Sequence, residues 1–293
     1  MKRRLFMKFG LMIPFLSLLK NPRKAFATTK ELELPTFPKA LPGKTVTIAS
    51  RKGGVGNTVI TGNFGICLAK QGHSVLVVDT GDGGGVCATF GIEPSKWSID
   101  DIREKRDNLD DLLSASLPGG IKVLNVSYQD IVAPENRSLI TKIFNSFDVR
   151  LVDVATATTI PGVIMGGPMV GEIVIVATPE PAAVTEAYAL LKHIVVMQPE
   201  QQDLKLLLNQ VYTDDEGIKI HHTLDAVAEK YLGRGIEYFG SIEADSDVRR
   251  SVGEQKSLIK LFPDSKASKK LCKLASVLVS TETITKNITA LPT

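Results

Sequence analysis

Residues 48–85 read "IASRKGGVGNTVITGNFGICLAKQGHSVLVVDTGDGGG" and contain the most informative pattern in the chain. An apolar run leads into a glycine-rich turn over residues 51–58, and a helical pattern follows it and stops at Gly72. A turn of this kind offers backbone N–H groups to a phosphate, and the start of the helix adds the positive end of its dipole. The stretch therefore predicts a phosphate-binding loop between a strand and a helix. A tight turn without a ligand is the alternative interpretation of the same glycines.

The rest of the chain alternates between short apolar runs and helical periods. Most of the runs are apolar at every position, as parallel strands covered on both faces are. They are "TVTIAS", "SVLVVD", "IKVLNV", "VRLVDV", "EIVIVAT", "LKLLLNQ" and "IEYFG". Helical periods between them are clearest over residues 181–198 and 267–280. This alternation predicts an α/β fold with three α/β/α layers and a mostly parallel twisted sheet, in one domain over residues 44–281.

The charge of the chain is unevenly distributed. The formal net charge is +3, from 35 basic and 32 acidic residues. Residues 1–27 contain seven basic residues and no acid, so removing them leaves 28 basic against 32 acidic residues, a net charge of −4. A mildly acidic body does not favour sequence-independent binding to nucleic acid phosphates, and we expect no specific nucleic acid partner.

The three cysteines are far apart in the sequence. Cys67, Cys87 and Cys272 form no CxxC pair. Their spacing fits neither a disulfide framework nor a zinc site. We expect all three to be small buried side chains.

The N-terminal segment, residues 1–27, has the layout of a removable export signal. A basic start precedes an apolar run over residues 9–19, which is shorter than the roughly 20 residues of a membrane-spanning helix, and the small-residue site "AFA" follows it. The run "RRLFMK" is similar to a twin-arginine signal and predicts export by that route. The alternative is an interfacial helix that contacts anionic lipid and holds the domain at the cytoplasmic face of the inner membrane. A proline-containing linker over residues 28–43 and a polar flexible tail over residues 282–293 complete the predicted organisation.

The glycine loop and the segments around it resemble the MinD/ParA-type P-loop ATPases, and within them the branch of the flagellar-number regulator FlhG. The loop of that family reads K-G-G-x-G-K-[ST], and "KGGVGNT" matches it at every place but one. The resemblance continues through "VLVVDTGDGG", "FDVRLVDVATATT", "VIVATPEPAAVTEAYALLK", "LLLNQV" and "FGSIEADSDVRRSVGEQKSLIKLFPDSKASKKLCKLASVL". It covers residues 44–278.

The resemblance implies ATP or ADP with Mg²⁺ as the ligand, a homodimer and a protein partner of unknown identity. In the family, the residue matched by Lys52 reaches across a sandwich dimer to the partner's nucleotide. Thr58, Asp79 and Asp153 match positions that hold Mg²⁺, and Asp153 is the Walker B aspartate at the end of "RLVD". The implied nucleotide-binding residues are Gly53, Gly54, Val55, Gly56, Asn57, Thr58 and Asn209, of which Asn209 matches an asparagine that recognises adenine.

Two departures from the family pattern affect the chemistry. Asn57 occupies the place of the lysine whose ammonium bridges the β- and γ-phosphates, and its side chain is neutral and shorter. Two unit charges about 4 Å apart interact by about 4 kcal/mol at an effective dielectric near 20, so nucleotide binding should weaken by a factor of tens or more. In the first switch, Gly81 stands where the family has an acid that positions water, and Asp82 comes one residue late as its substitute. The catalytic residues implied by the resemblance are therefore Lys52, Asp82 and Asp153.

These departures leave two functional hypotheses. The first is a degenerate ATPase that acts as a binding or positioning factor and binds nucleotide weakly or not at all. The second is an active ATP-dependent dimerising switch that positions a cell-surface structure or a division site. Because phosphoryl transfer depends on positioned charge, the loss of one cation and the shift of one acid favour the first hypothesis.

Overall fold

The computed structural model describes residues 43–81, 84–96, 98–105, 112–113, 115–154, 171–198, 201 and 203–280. The predicted export signal, nearly all of the linker and the predicted tail lie outside the described residues. Asp82 and the segment after the Walker B strand, residues 155–170, also lie outside them. In the part of the chain that the structure describes, no helix has the length and apolar character needed to cross a membrane.

One sheet of eight described strands forms the centre of the domain. The strands are β1 (Lys44–Ala49), β2 (Val75–Asp79), β3 (Ser116–Leu117), β4 (Ile121–Asn125), β5 (Val149–Val154), β6 (Glu172–Ala177), β7 (Leu204–Val211) and β8 (Glu237–Glu243). Their order is β3-β4-β2-β5-β1-β6-β7-β8, with β3 antiparallel to β4 and every other pair parallel. All seven predicted strands are present, and only the two-residue β3 was not predicted.

Helices cover both faces of this sheet. They are α1 (Asn57–Lys70), α2 (Gly85–Phe90), α3 (Ile99–Lys105), α4 (Tyr128–Val132), α5 (Arg137–Asn145), α6 (Pro181–Met197), α7 (Asp214–Leu232), α8 (Ser246–Gly253), α9 (Leu258–Leu261) and α10 (Lys266–Leu278), with a 3-10 turn at Pro134–Asn136. One apolar core joins the sheet to α5, α6 and α7, and a second joins its other face to α1, α2 and α10. Strands β1, β2, β5 and β6 are buried at every residue, because both of their faces are covered. The predicted three-layer α/β/α fold is confirmed.

A disulfide joins α1 to α10 on one face of the sheet. Cys67 and Cys272 are bonded, with their Cα atoms 5.1 Å apart and a sequence separation of 205. The prediction that no cysteine forms a disulfide is therefore wrong for this pair, and correct for Cys87, which is free and buried. Spacing along the chain could not reveal the pair, because only the packing of the first described helix against the last one brings the two residues together.

A buried group of charges lies at the amino ends of three neighbouring strands. Glu172, at the start of β6, contacts the ammonium of Lys44 on β1 at 2.8 Å and that of Lys205 on β7 at 3.2 Å. The Glu172 side chain is 4% exposed and the Lys44 side chain 8%, whereas Glu237, a second partner of Lys205 at 3.5 Å, is 63% exposed. The cluster lies at the amino ends of the strands, whereas the glycine loop lies at their carboxyl ends. We therefore expect the cluster to affect the stability of the domain and not the candidate site.

Candidate functional site

The glycine loop connects the carboxyl end of β1 to the first residue of α1. Gly54 and Gly56 have left-handed backbone angles, with φ of 79° and 101°. A Cβ added to Gly56 would lie 2.5 Å from the Asn209 side-chain nitrogen, so both the backbone angle and the space require glycine there. Added Cβ atoms at Gly53 and Gly54 would meet nothing within 4 Å, which shows that this side of the loop is open. The loop therefore has the backbone form expected of a phosphate-binding turn at a helix start.

Asn57 is directed into the protein rather than out along the loop. Its Nδ2 donates a hydrogen bond to the Val154 carbonyl at 3.2 Å, at the carboxyl end of β5. The side chain is buried, and its Oδ1 has no hydrogen-bond partner among the described residues. The amide thus anchors the start of α1 to the sheet and presents no positive charge to the loop.

Asp153 lies beside the start of α1 with an unsatisfied carboxylate. It ends the "RLVD" run on β5, is fully buried, and neither of its oxygens has a hydrogen-bond partner of ordinary geometry among the described residues. Burial raises the pKa of Asp153 to about 7, the nearby Thr58 hydroxyl opposes this rise, and the charge of Asp79 adds to it. The buried Asp153 carboxylate and the neighbouring Thr58 hydroxyl together offer oxygens suited to a divalent cation.

Asp79 is engaged differently, although it lies next to Asp153 in the register of β2 and β5. Its two oxygens accept backbone hydrogen bonds from Gly81 at 3.0 Å and Val86 at 2.8 Å. Burial raises the pKa of Asp79, and the two hydrogen bonds, from Val86 and Gly81, act against the rise. Because both oxygens already hold the loop that follows β2, Asp79 is a less available metal ligand than Asp153.

The raised pKa of Asp153 predicts a pH-dependent cost to stability. The unfolded carboxyl ionises near pH 3.8 and the folded one near pH 7, so the folded state keeps a proton that the unfolded state has lost. Stability should therefore fall as the pH rises from about 4 to about 7 and then stay level. Asp153→Asn removes the ionisation, and we expect its Tm relative to that of the natural chain to increase steadily between pH 5 and pH 7. Thermal unfolding of both proteins in EDTA measures this difference, and a constant difference across that range would contradict it.

Asn209 and its neighbour hold the backbone of the loop from the end of β7. The Nδ2 of Asn209 donates to the Val55 carbonyl at 2.7 Å, and its Oδ1 accepts from the Gln210 N–H at 3.0 Å. Gln210 has a φ of 61°, and its Nε2 lies 3.4 Å from the Gly54 carbonyl. Asn209 thus contacts the loop, and both ends of its amide are used within the chain; its predicted role in adenine recognition stays a prediction. Sequence reasoning missed Gln210, because nothing in the leucine-rich run of β7 indicates a left-handed backbone angle.

Two basic residues of the loop form ion pairs with two acidic residues. One acid lies in α6 and the other immediately precedes α6. Lys52 forms an ion pair with Glu180, and the Nε of Arg51 lies 3.0 Å from Glu186. Lys52 is 33% exposed and Glu180 66%, so water surrounds this pair. Sequence reasoning missed both acids, because Glu180 is 128 residues from Lys52 and only the sheet order brings α6 beside the loop.

The residues present fit part of a nucleotide with Mg²⁺. The open glycine backbone and the helix start fit a phosphate, and Asp153 with Thr58 fits a divalent cation. Asn57 does not supply the charge that a triphosphate requires, since its amide is committed to Val154.

Comparison with protein families agrees with the fold. Residues 46–259 match the CobQ/CobB/MinD/ParA nucleotide-binding domain. The chain belongs to this family of nucleotide-binding proteins.

Within the family, the chain is similar to proteins of the FlhG branch. It is 29% identical over 236 residues to the antiactivator FleN of Pseudomonas aeruginosa, covering 78% of this chain and 83% of FleN. It is 28% identical over 248 residues to the flagellum site-determining protein YlxH of Helicobacter pylori, covering 81% of this chain and 82% of YlxH. The predicted resemblance to MinD/ParA proteins and to this branch is confirmed.

Solved structures of the family share the fold. The septum site-determining protein MinD of Pyrococcus horikoshii, in complex with Mg-ADP, superposes with a TM-score of 0.62 at 19% identity, covering 83% of this chain and 98% of that one. The MinD cell division protein of Aquifex aeolicus gives a TM-score of 0.60 at 22% identity, covering 80% of this chain and 96% of that one.

Proposed function

We propose that this chain is a degenerate member of the family, which acts as a binding or positioning factor and does not turn over ATP at a useful rate. The observation that carries the proposal is the Asn57 amide, which occupies the place of the phosphate-bridging lysine and donates to the Val154 carbonyl. Phosphoryl transfer is catalysed by positioned charge, so the absence of this cation lowers the rate before it affects the fold. In this proposal the loop, the sheet and the helices keep their structure and form a surface to which a partner binds.

The proposed working form is a homodimer with a protein partner. Lys52, the residue that would reach a partner's nucleotide, is held by Glu180 of its own chain. Exposed ion pairs contribute about 0–1 kcal/mol to stability, so Lys52 can leave Glu180 at small cost and reach across a dimer interface. A MinD of Aquifex aeolicus is known in complex with MinC, and YlxH is named as a flagellum site-determining protein, which supports a protein partner at a cell-surface structure.

A second candidate, the active ATP-dependent switch, is favoured by a specific observation. Asp153, with its unsatisfied oxygens, and Thr58 stand together where the Mg²⁺ of a bound nucleotide would be held. In this hypothesis Asp153 and Thr58 would hold the cation, which would offset phosphate charge, Asp82 would position the attacking water, and Lys52 would complete the site across the dimer.

A binding and turnover experiment decides between the two functions. The full chain is titrated with ATP and with ADP, each with and without Mg²⁺, by calorimetry, and phosphate release is followed in parallel. We expect a dissociation constant for Mg-ATP above roughly 10 µM, about −7 kcal/mol of binding free energy, and no phosphate release above that of Asp153→Asn. Mg²⁺-dependent turnover that Asp153→Asn abolishes would refute the degenerate ATPase and establish the switch.

A further inference from the structure

We infer that this protein works in an oxidising compartment outside the cytosol, with Cys67 and Cys272 joined there as a lasting cross-link between α1 and α10. The inference does not depend on nucleotide binding. It rests on the disulfide and, separately, on the sequence of the N-terminal segment.

The two cysteines are placed for a structural bond. Cys67 is 1% exposed within the apolar core between α1 and the sheet, and Cys272 is partly buried on the facing side of α10. Beyond the disulfide, the Gln71 side chain donates to the Ser276 hydroxyl at 2.8 Å and ties the same two helices a turn further on. The bond closes a loop of 205 residues, and the entropy that a cross-link removes from the unfolded chain grows with the length of the loop.

The compartment follows from the chemistry of thiols. Disulfides persist in secreted and periplasmic proteins, whereas glutathione and thioredoxin keep cytosolic thiols reduced. The basic start, the short apolar run and the "AFA" site of residues 1–27 independently match a signal for export. The disulfide and the N-terminal segment lie in different parts of the chain, and both indicate a compartment outside the cytosol.

Formation of the bond requires an oxidant, which we identify by class as a disulfide-carrying thiol oxidase of that compartment. The thiolate of Cys272, the more exposed of the pair, attacks the donor disulfide, and one donor sulfur leaves as a thiolate. The thiolate of Cys67 then attacks the Cys272 sulfur of the mixed disulfide, and the second donor sulfur leaves. Two electrons pass to the donor, which ends as a dithiol, and the two protons of the cysteines pass through solvent to the donor thiolates. Cys87 takes no part, since it is free and buried in α2, outside the two linked helices.

Thiol trapping in fractionated cells tests the inference. The full chain is produced in a Gram-negative host beside a matched Arg3→Lys/Arg4→Lys variant, which keeps the charge and removes the twin arginines. Free thiols are alkylated in acid-quenched fractions after unfolding, and peptides are identified by mass spectrometry. We expect the natural chain outside the cytosol with only Cys87 alkylated, and the variant in the cytosol with three alkylated thiols. A natural chain confined to the cytosol, three free thiols after export, or an equally linked variant in the cytosol would each overturn the inference.

A stability measurement tests the cross-link without relying on export. We expect reductant to lower the Tm of the linked full chain by roughly 5 to 15 °C, and the Cys67→Ala/Cys272→Ala variant to show the lower Tm with no further response to reductant. Cys87→Ala is the control and should respond to reductant as the natural chain does. A natural chain whose Tm is the same with and without reductant would show that the bond has no structural role.

Discussion

Replacing Asn57 by lysine should tighten the binding of Mg-ATP at least tens of times. The residue lies at the first position of α1, between the open glycine backbone and Asp153, where a long cationic side chain has the phosphates within reach. A unit charge about 4 Å from another contributes about 4 kcal/mol at an effective dielectric near 20, and each 1.4 kcal/mol of binding free energy corresponds to a factor of ten. Part of the gain is lost because the variant gives up the hydrogen bond to Val154 and must desolvate its ammonium.

Two control variants test whether the gain in affinity comes from a positive charge at position 57. One changes only the length of that side chain, and the other adds a positive charge elsewhere. Asn57→Gln lengthens the side chain without adding charge, and Asn145→Lys adds the same charge at an exposed position at the end of α5, away from the loop. We expect neither to change the calorimetric affinity for Mg-ATP by more than about threefold, roughly 0.6 kcal/mol. If Asn57→Lys binds no better than these controls, or if the natural chain already binds at micromolar affinity, Asn57 is not the cause of weak binding.

The fold and the loop were predictable because their signals are local. Strands such as β5 are continuous apolar runs, and the glycines that precede α1 specify a turn that other residues cannot form. The two-residue strand β3 is too short to show a period and was missed. The neutral character of Asn57 was also predicted from the sequence alone. Its hydrogen bond to Val154 was not, since that partner is 97 residues away.

Most of the features that the sequence did not reveal join distant parts of the chain. The disulfide between α1 and α10, the ion pair of Lys52 with Glu180, and the burial of Glu172 each depend on the order of the strands. Glu172 is the clearest case. A charged residue at the start of a strand normally indicates a solvated end, yet the packing of β1 and β7 on either side of β6 encloses this carboxylate between two lysines.

Glu172→Ala should be among the most destabilising single substitutions in the chain. It leaves the Lys44 ammonium buried without an acid, whereas Lys205 keeps its contact with the exposed Glu237. Removal of one partner from a buried ion pair costs about 3–5 kcal/mol, because the remaining charge is not solvated. For a domain of this size we expect a fall in Tm of roughly 6 to 20 °C, measured by calorimetry or circular dichroism.

Two further variants identify the cause. Glu180→Ala breaks the exposed pair with Lys52 and should cost no more than about 1 kcal/mol, because water screens that pair in the folded state. Lys44→Met combined with Glu172→Leu removes the buried Lys44–Glu172 pair and leaves Lys205 in contact with Glu237. It should recover most of the stability, since apolar residues of similar volume commonly replace a buried pair at little cost. A double variant as unstable as Glu172→Ala alone would mean that lost packing, and not the unpaired ammonium, sets the cost. Nucleotide affinity should be unchanged in all of the Glu172 variants, because the cluster lies at the amino ends of the strands and the loop at their carboxyl ends.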